Sequence, residues 1–545
     1  MIISNKLGLW AAIICALPLS ALSKDVKNTS HWNQFRGPNG DGVSTSSNLP
    51  TEFSGTRNVR WRAAIHGLGW SSPVVWGKQI WLTTAREDGT ELFAVCIDLD
   101  SGKMIHDIKV FDVADPQSEH PGLNSHASPT PIIEKGRIYV HFGTYGTACL
   151  DTETGRKLWE RRDLNCDHRV RPASSPIIDD GLIFLVYDGV DVQFITALDK
   201  ESGQTRWLEN RKVKNDLATV LTSGGVKDIE ETLKEKPNDN RKSYATPTII
   251  EHNGQKQLIS PAAEATFAYD PQTGKELWRV HHQGWGWNVA CRPIYSSGLV
   301  FFTTGVAKTL LAVDPSGSGD VTNTHVVWSH RRGSPEIPSP IVKDNLIFFT
   351  NEGGVVSCLE AKTGHEIWKG RIHGNHWASP VYADKRIYFL NKDGKVSVIS
   401  ADREFKLLAE NELNASFIAS PAVVKESMIL RSETHLYHLA NGFSRVISKD
   451  ENLRKIEGKR AKGTPKKLEK KKNDRLGKGK RKKEKSAKNL GSLQLEVEGW
   501  TSYFRTSSAQ QIRQVIESEK FQKLTPKAQE EILNQAKKFL SQKDE

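Results

Sequence analysis

The sequence predicts an all-β chain folded as an eight-bladed β-propeller of four-stranded antiparallel blades. Three observations carry this. A Ser-Pro or close variant recurs eight times, at Ser72-Pro73, Ser128-Pro129, Ser175-Pro176, Thr246-Pro247, Arg292-Pro293, Ser339-Pro340, Ser379-Pro380 and Ser420-Pro421. Each opens an apolar run, such as Val74-Val75 or Ile177-Ile178, then a turn and a second β-rich run. Several repeats end in Asp-x-x-x-Gly-x-x-x-Trp or a stretched version, placing Trp159, Trp207, Trp278, Trp328 and Trp368 alike. Tandem units of about 40–50 residues, each too small to bury a core alone, fold by covering their neighbours.

The second repeat shows one blade. His126–Ile133 reads as a first strand, Arg137–Phe142 as a second, Thr147–Asp151 as a third and Lys157–Arg161 as a fourth, with Gly155 free to take the positive φ of the turn. A tryptophan at each blade end suits a seam between blades, its indole N–H meeting a backbone acceptor. The eighth repeat has three strands, Ile418–Val424, Met428–Leu430 and His435–Leu439. Asn58–Ala63 reads as an orphan fourth strand that closes the ring with both chain ends in one blade and removes the last open edge.

Residues 1–23 read as a secretory signal peptide: Lys6, an apolar run from Leu7 to Leu19, and Ala21-Leu22-Ser23 at the cleavage site. Ile14 before Cys15 is too bulky for lipidation. Export to the periplasm or beyond is expected. Cys96, Cys149 and Cys358 hold the same place in three repeats and read as small buried hydrophobes; with no C-x-x-C, thiol-redox and zinc chemistry have no support.

A charged insertion, about 209–243, contains a short helix at Asp228–Lys236 and belongs on a rim, and a smaller insert, Phe111–Ser125, precedes blade two. Residues 449–490 form a lysine-rich linker that cannot bury a core and carries much of the net charge of +12. It suits attachment to an anionic polymer or membrane surface, or plain solvation; export argues against a nucleic-acid partner. Residues 491–545 read as helical, with amphipathic stretches at Ser508–Ser518 and Thr525–Gln542.

The blade endings, as in Ala268-Tyr-Asp-Pro-Gln-Thr-Gly-Lys-Glu-Leu-Trp278, resemble the pyrroloquinoline-quinone (PQQ)-like eight-bladed propellers. That quinoprotein-like group includes quinoprotein alcohol dehydrogenases and BamB-type outer-membrane assembly factors. Trp32-Asn-Gln-Phe-Arg-Gly-Pro-Asn-Gly-Asp-Gly42 looks like the opening of exported planctomycete-type members. The resemblance spans roughly 32–445.

The residues upstream of each Ser-Pro begin the innermost strands and should gather at the channel mouth. Asn124, His126, His168, Arg169, Arg171, Tyr244, Trp287, Asn288, Arg292, Glu336, His376 and Trp377 are the candidate ligand-binding residues, suited to a small polar or anionic ligand. The resemblance implies a dehydrogenase alternative, needing PQQ on a tryptophan floor, a vicinal Cys-Cys disulfide, a calcium and an aspartate base. The chain has no adjacent cysteines, and Asp314–Asp320 reads as a turn rather than a cation loop. Neither catalytic nor metal-binding residues are assigned, and no cofactor is expected; PQQ and calcium enter only under that alternative. The favoured reading is a non-enzymatic exported propeller that binds a ligand or an envelope protein; a polysaccharide- or surface-binding module tethered by its basic tail is a further alternative.

Overall fold

The computed structural model describes residues 31–117, 124–211, 238–282 and 288–445, together with Gln529, Ile532, Leu533 and Lys537. The chain divides into two compact units, Met1–Asn452 and Leu453–Glu545. In the second unit the four described residues are helical and Ile532 is buried. The signal peptide, the basic linker, Ser508–Ser518 and Asp228–Lys236 lie outside the described residues.

The first unit is an eight-bladed β-propeller: eight sheets, each with four antiparallel strands, in sequential order from the axis outward in all but the last, two of them extended by a fifth strand. The innermost strands start at Val74, Ile132, Ile177, Thr248, Ile294, Ile341, Val381 and Ala422, which define blades one to eight. Arg57–Ala64 pairs with His435–Ser444, so blade eight takes its outer strand from the N-terminal region. The loop at Asp314–Asp320 is more than a turn: Gly319–Asp320 pairs in parallel with Trp278–Arg279 and adds a fifth strand to blade four.

Apolar burial follows the seams between blades. Trp81 and Leu92 of blade one cluster with Ile138 and Phe142 of blade two, and similar clusters recur around the ring. The largest joins blades seven, eight and one through Tyr388, Tyr437, Trp61 and Trp32. Middle strands such as Leu182–Asp188 are buried throughout, whereas the outer strand Lys157–Arg161 is half exposed. Burying each large side chain contributes about 1.5–3 kcal/mol, so the seams supply the cohesion that a lone four-stranded sheet lacks.

The blade-end tryptophans cross those seams. The indole N–H of Trp159 donates to Lys200 O at 2.9 Å, Trp207 to Pro271 O at 2.9 Å, Trp328 to Ala361 O at 3.0 Å and Trp368 to Asp402 O at 3.0 Å, each in the following blade. Trp61 does the same from the N-terminal strand, reaching Leu99 O of blade one at 2.9 Å. The rings of Trp61, Trp159, Trp207 and Trp328 lie on the turn glycine of the next blade; blade seven has none there, and Trp368 packs on Phe405 instead. A Cβ on Gly203, at φ +72°, would stand 2.7 Å from the Trp159 ring, which explains the glycine in the motif. Trp278 is the exception: it donates to Gln257 Oε1 at 2.8 Å, and Gln257 relays the bond to Pro315 O at 3.0 Å. Cys96, Cys149 and Cys358 are buried and unbridged.

Candidate ligand site at the propeller axis

The recurring Ser-Pro has a physical cause. Its hydroxyl accepts the backbone N–H of the equivalent residue in the preceding blade. Ser72 N–H donates to Thr130 Oγ1, Thr130 to Ser175 and Ser175 to Thr246, all at 2.9 Å; Arg292 donates to Ser339, Ser339 to Ser379, Ser379 to Ser420 and Ser420 back to Ser72, all at 3.0 Å. Proline follows because it stands one residue ahead of the innermost strand, where no ladder bond calls for an N–H. In blade two the anchor is Thr130-Pro131, which corrects Ser128-Pro129. Extended backbone repeats every two residues, so both share one face and the sequence alone did not separate them.

Blade five interrupts the ring. Arg292 brings no hydroxyl; its guanidinium instead donates to Thr248 Oγ1 at 2.9 Å, Phe35 O at 2.5 Å and Gln34 Oε1 at 3.1 Å. This ties down an N-terminal segment that crosses the axis. His31–Trp32 pairs with Val75–Trp76 of blade one, Asn33 O accepts from Ile133 of blade two, and Arg36 donates to Ser339 O and Pro340 O of blade six. Further on, Gly42 and Ser44 bond the backbone of Tyr382 in blade seven. Burial lowers the Arg36 and Arg292 guanidinium pKa values to about 10 and about 9.

Above this floor is an axial cavity of about 410 Å³ with Phe35 at its base, within the usual range of about 300–1,000 Å³ for small-molecule sites. The residue two positions before each ring residue lines it: Trp70, Ser128, Ala173 and Tyr244 from blades one to four, then Ala290, Ile337, Trp377 and Ile418 from blades five to eight. Bulky apolar groups thus fill the arc from blade six through blade one. The arc from blade two to blade five is lower and more polar, adding Asn124, Asp239, Lys242 and Asn288. Glu336 lines the wall beside Ile337.

Of the residues expected at the mouth, the cavity brings together Asn124, Tyr244, Asn288, Glu336 and Trp377. Trp377 meets Trp70 edge-on with ring centroids 6.1 Å apart, and the Lys392 ammonium sits 3.9 Å from the Trp377 ring centroid. Glu336 lies 3.4 Å from Lys308, which also pairs with Glu352 at 3.0 Å, and burial raises the Glu336 pKa. The Tyr244 hydroxyl donates to His168 O at 3.1 Å. Two lining residues have buried polar atoms without a hydrogen-bond partner, Trp70 Nε1 and Asn288 Oδ1.

The others are not in the cavity lining. His126 is buried with Nε2 3.0 Å from Gln117 O, and His376 is enclosed between Leu390 O and His373 O. His168 accepts from Thr144 N–H at 3.2 Å, and burial lowers its pKa to about 4. Arg171 donates to Asn124 O at 2.7 Å, Arg169 lies 3.9 Å from Asp239, and Arg292 belongs to the floor. Trp287 lies outside the described residues. The sequence reading passed over Phe35, Trp70, Asp239 and Lys242. Trp70, two before Ser72, had the available signal, as did Lys242, which is hydrogen-bonded to Asp239 just ahead of Thr246-Pro247.

A family model described as outer membrane protein assembly factor BamB matches residues 51–232 and 262–432. The chain belongs to this PQQ-like propeller family. Among curated proteins, the quinoprotein ethanol dehydrogenase of Pseudomonas putida is 26% identical over 219 residues, 37% of this chain and 29% of that protein. A quinohemoprotein alcohol dehydrogenase from the same organism is 22% identical over 209 residues, 37% of this chain and 25% of its own length. The match thus spans less than a third of either curated relative. Among solved structures, a europium-containing methanol dehydrogenase aligns with TM-score 0.58 and 12% identity over 76% of this chain and 99% of that one. The quinohemoprotein alcohol dehydrogenase of Comamonas testosteroni aligns with TM-score 0.55 and 11% identity over 78% and 83%. At such identities these structures share the fold alone.

The cavity is a poor match for PQQ. That polycarboxylate needs unspent cations, whereas the lining contributes the carboxylates of Asp239 and Glu336 and a lysine already bonded to Asp239. The cysteines Cys96, Cys149, Cys166, Cys291 and Cys358 are free, and no two are adjacent. Among the described residues no cluster of three His, Cys, Asp or Glu is placed to hold a metal ion.

Proposed function

We propose that this chain is a non-enzymatic binding propeller of the cell envelope, with the axial cup as its ligand site. The observation that carries the reading is the cup itself. One end is closed by the crossing segment, while the wall presents polar groups with unspent hydrogen-bonding capacity. Such a recess holds a small molecule or a short segment of a partner. An envelope setting rests on the signal-like residues 1–23 and on the BamB family match. The basic stretch 449–490 serves in this reading as a tether to an anionic surface.

The similarity to the P. putida quinoprotein ethanol dehydrogenase favours a second reading, a PQQ-dependent oxidation of an alcohol or sugar. Loading the purified protein with PQQ and calcium separates the two. The binding reading expects no cofactor absorbance and no dye reduction with alcohols or sugars; PQQ-dependent turnover overturns it. Deleting residues 449–545 tests the tether, with loss of envelope association expected.

A further inference from the structure

We infer that the axial cup binds an uncharged sugar ring, a pyranose of a neutral glycan. This rests on the ligand-site reading above and specifies its chemistry. The wall is divided around the axis. Ile337, Trp377, Ile418 and Trp70 form one continuous apolar arc with two indoles. A pyranose has C–H-rich faces that pack on such surfaces, and aromatic π-systems add to that contact. The facing arc is polar and is lowered by Ala173 and Ala290, which leaves room for substituents projecting from the ring edge.

Hydroxyl groups both donate and accept, so their site must offer both functions at several points. Here Asp239 and Glu336 supply carboxylates, and Asn124, Ser128 and Tyr244 supply amide and hydroxyl groups. The unpartnered Trp70 Nε1 is a donor and the unpartnered Asn288 Oδ1 an acceptor. Buried polar atoms without partners are uncommon, and a ligand or water normally completes them. Charge selects within the class. Lys242 is bonded to Asp239, and Arg169 also approaches that carboxylate at 3.9 Å. Lys308 is shared by Glu336 and Glu352. An incoming anion would meet two carboxylates and a lining lysine that is already paired, while Lys392 lies on the Trp377 ring and is not part of the lining, so uronic acids and phosphosugars are disfavoured. The surface therefore selects a neutral sugar from the small polar or anionic ligands that the sequence suggested.

Titrating the full-length protein with cellobiose, maltose, N,N'-diacetylchitobiose and digalacturonate, followed by tryptophan fluorescence and calorimetry, tests this. At least one neutral disaccharide should saturate and change the indole emission, while digalacturonate stays silent. Trp377→Ala should weaken that binding about tenfold or more. Ala290→Trp, which fills the cup and removes no polar group, should abolish it, and circular dichroism reports whether each variant folds. Silence of all three neutral sugars overturns the inference, as does preference for digalacturonate or sugar binding that survives both substitutions. Dye-linked turnover with PQQ overturns the non-enzymatic reading instead. A competing peptide in the cup, with sugars silent, removes the sugar and leaves a binding propeller.

Discussion

The floor and the rim of the cup are both rich in polar residues, yet they treat them in opposite ways. In the floor, Arg292 and Arg36 are buried and donate to Gln34, Phe35, Ser339 and Pro340. The same holds for His126, His168 and His376, whose rings lie against backbone groups away from the cavity. At the rim, Asn288 and Trp70 keep polar atoms unmatched, and Glu336 lines open space. Burial of a polar residue therefore does not mark the site, nor does an unmatched atom alone, since Arg36 Nε in the floor is unmatched too; an unmatched atom on a residue that lines the cavity does. A polar group whose bonds are all made within the fold holds the fold together, and its loss exposes a desolvation cost.

Four experiments break or sharpen that contrast. Acid should act most strongly, and on the frame. Burial depresses the pKa of His141 to about 3 and of His168 and His438 to about 4, against the usual 6.5. The unfolded chain then takes up these protons first. Stability is full above pH 6.5 and falls as pH drops from 6.5 to 4, by up to about 1.4 kcal/mol per unit per histidine. Urea unfolding at pH 7, 5.5 and 4.5 measures the slope, which His438→Gln should reduce; a flat profile contradicts the assignment. Next comes Arg292→Met, which strands Phe35 O, Gln34 Oε1 and Thr248 Oγ1 and should cost about 3–5 kcal/mol by denaturant titration. Gly203→Ala forces a Cβ toward the Trp159 ring at positive φ and should cost about 1–3 kcal/mol. Smallest in stability is Asn288→Gly at the rim, which removes the side chain and tolerates the φ of 57° there, within about 1 kcal/mol of wild type. If Asn288→Gly destabilises as much as Arg292→Met, floor and rim do not differ as described.

The fold was legible because each blade repeats one set of local bonds. Ser72, Ser175, Thr246, Ser339, Ser379 and Ser420 hold equivalent ring positions, and Trp159, Trp207, Trp328 and Trp368 make equivalent outer bonds. A periodic requirement leaves a periodic trace. The cup was legible only in outline, because the chain turns ahead of the innermost strands and breaks the two-residue period. His126 and Asn124 are two residues apart, yet His126 sits in a turn and is buried beside Gln117 while Asn124 lines the cavity. The floor left no periodic trace. Phe35 meets Arg292 across 257 residues, a contact made once and written in no repeat.

The outer strand of the last blade is among the first parts of the propeller to be made. Arg62 finds its partner His435 only 373 residues later. Until then the strand bearing Trp61 has no sheet to join, and the newly made blades form an open arc with an exposed edge. Joining ends so distant in sequence is slow, since loop closure must precede any reward in contacts. Once made, it is the clasp of the whole chain. Neither terminus of the propeller can peel away alone, and the lifetime of the folded ring depends on how rarely that one seam opens.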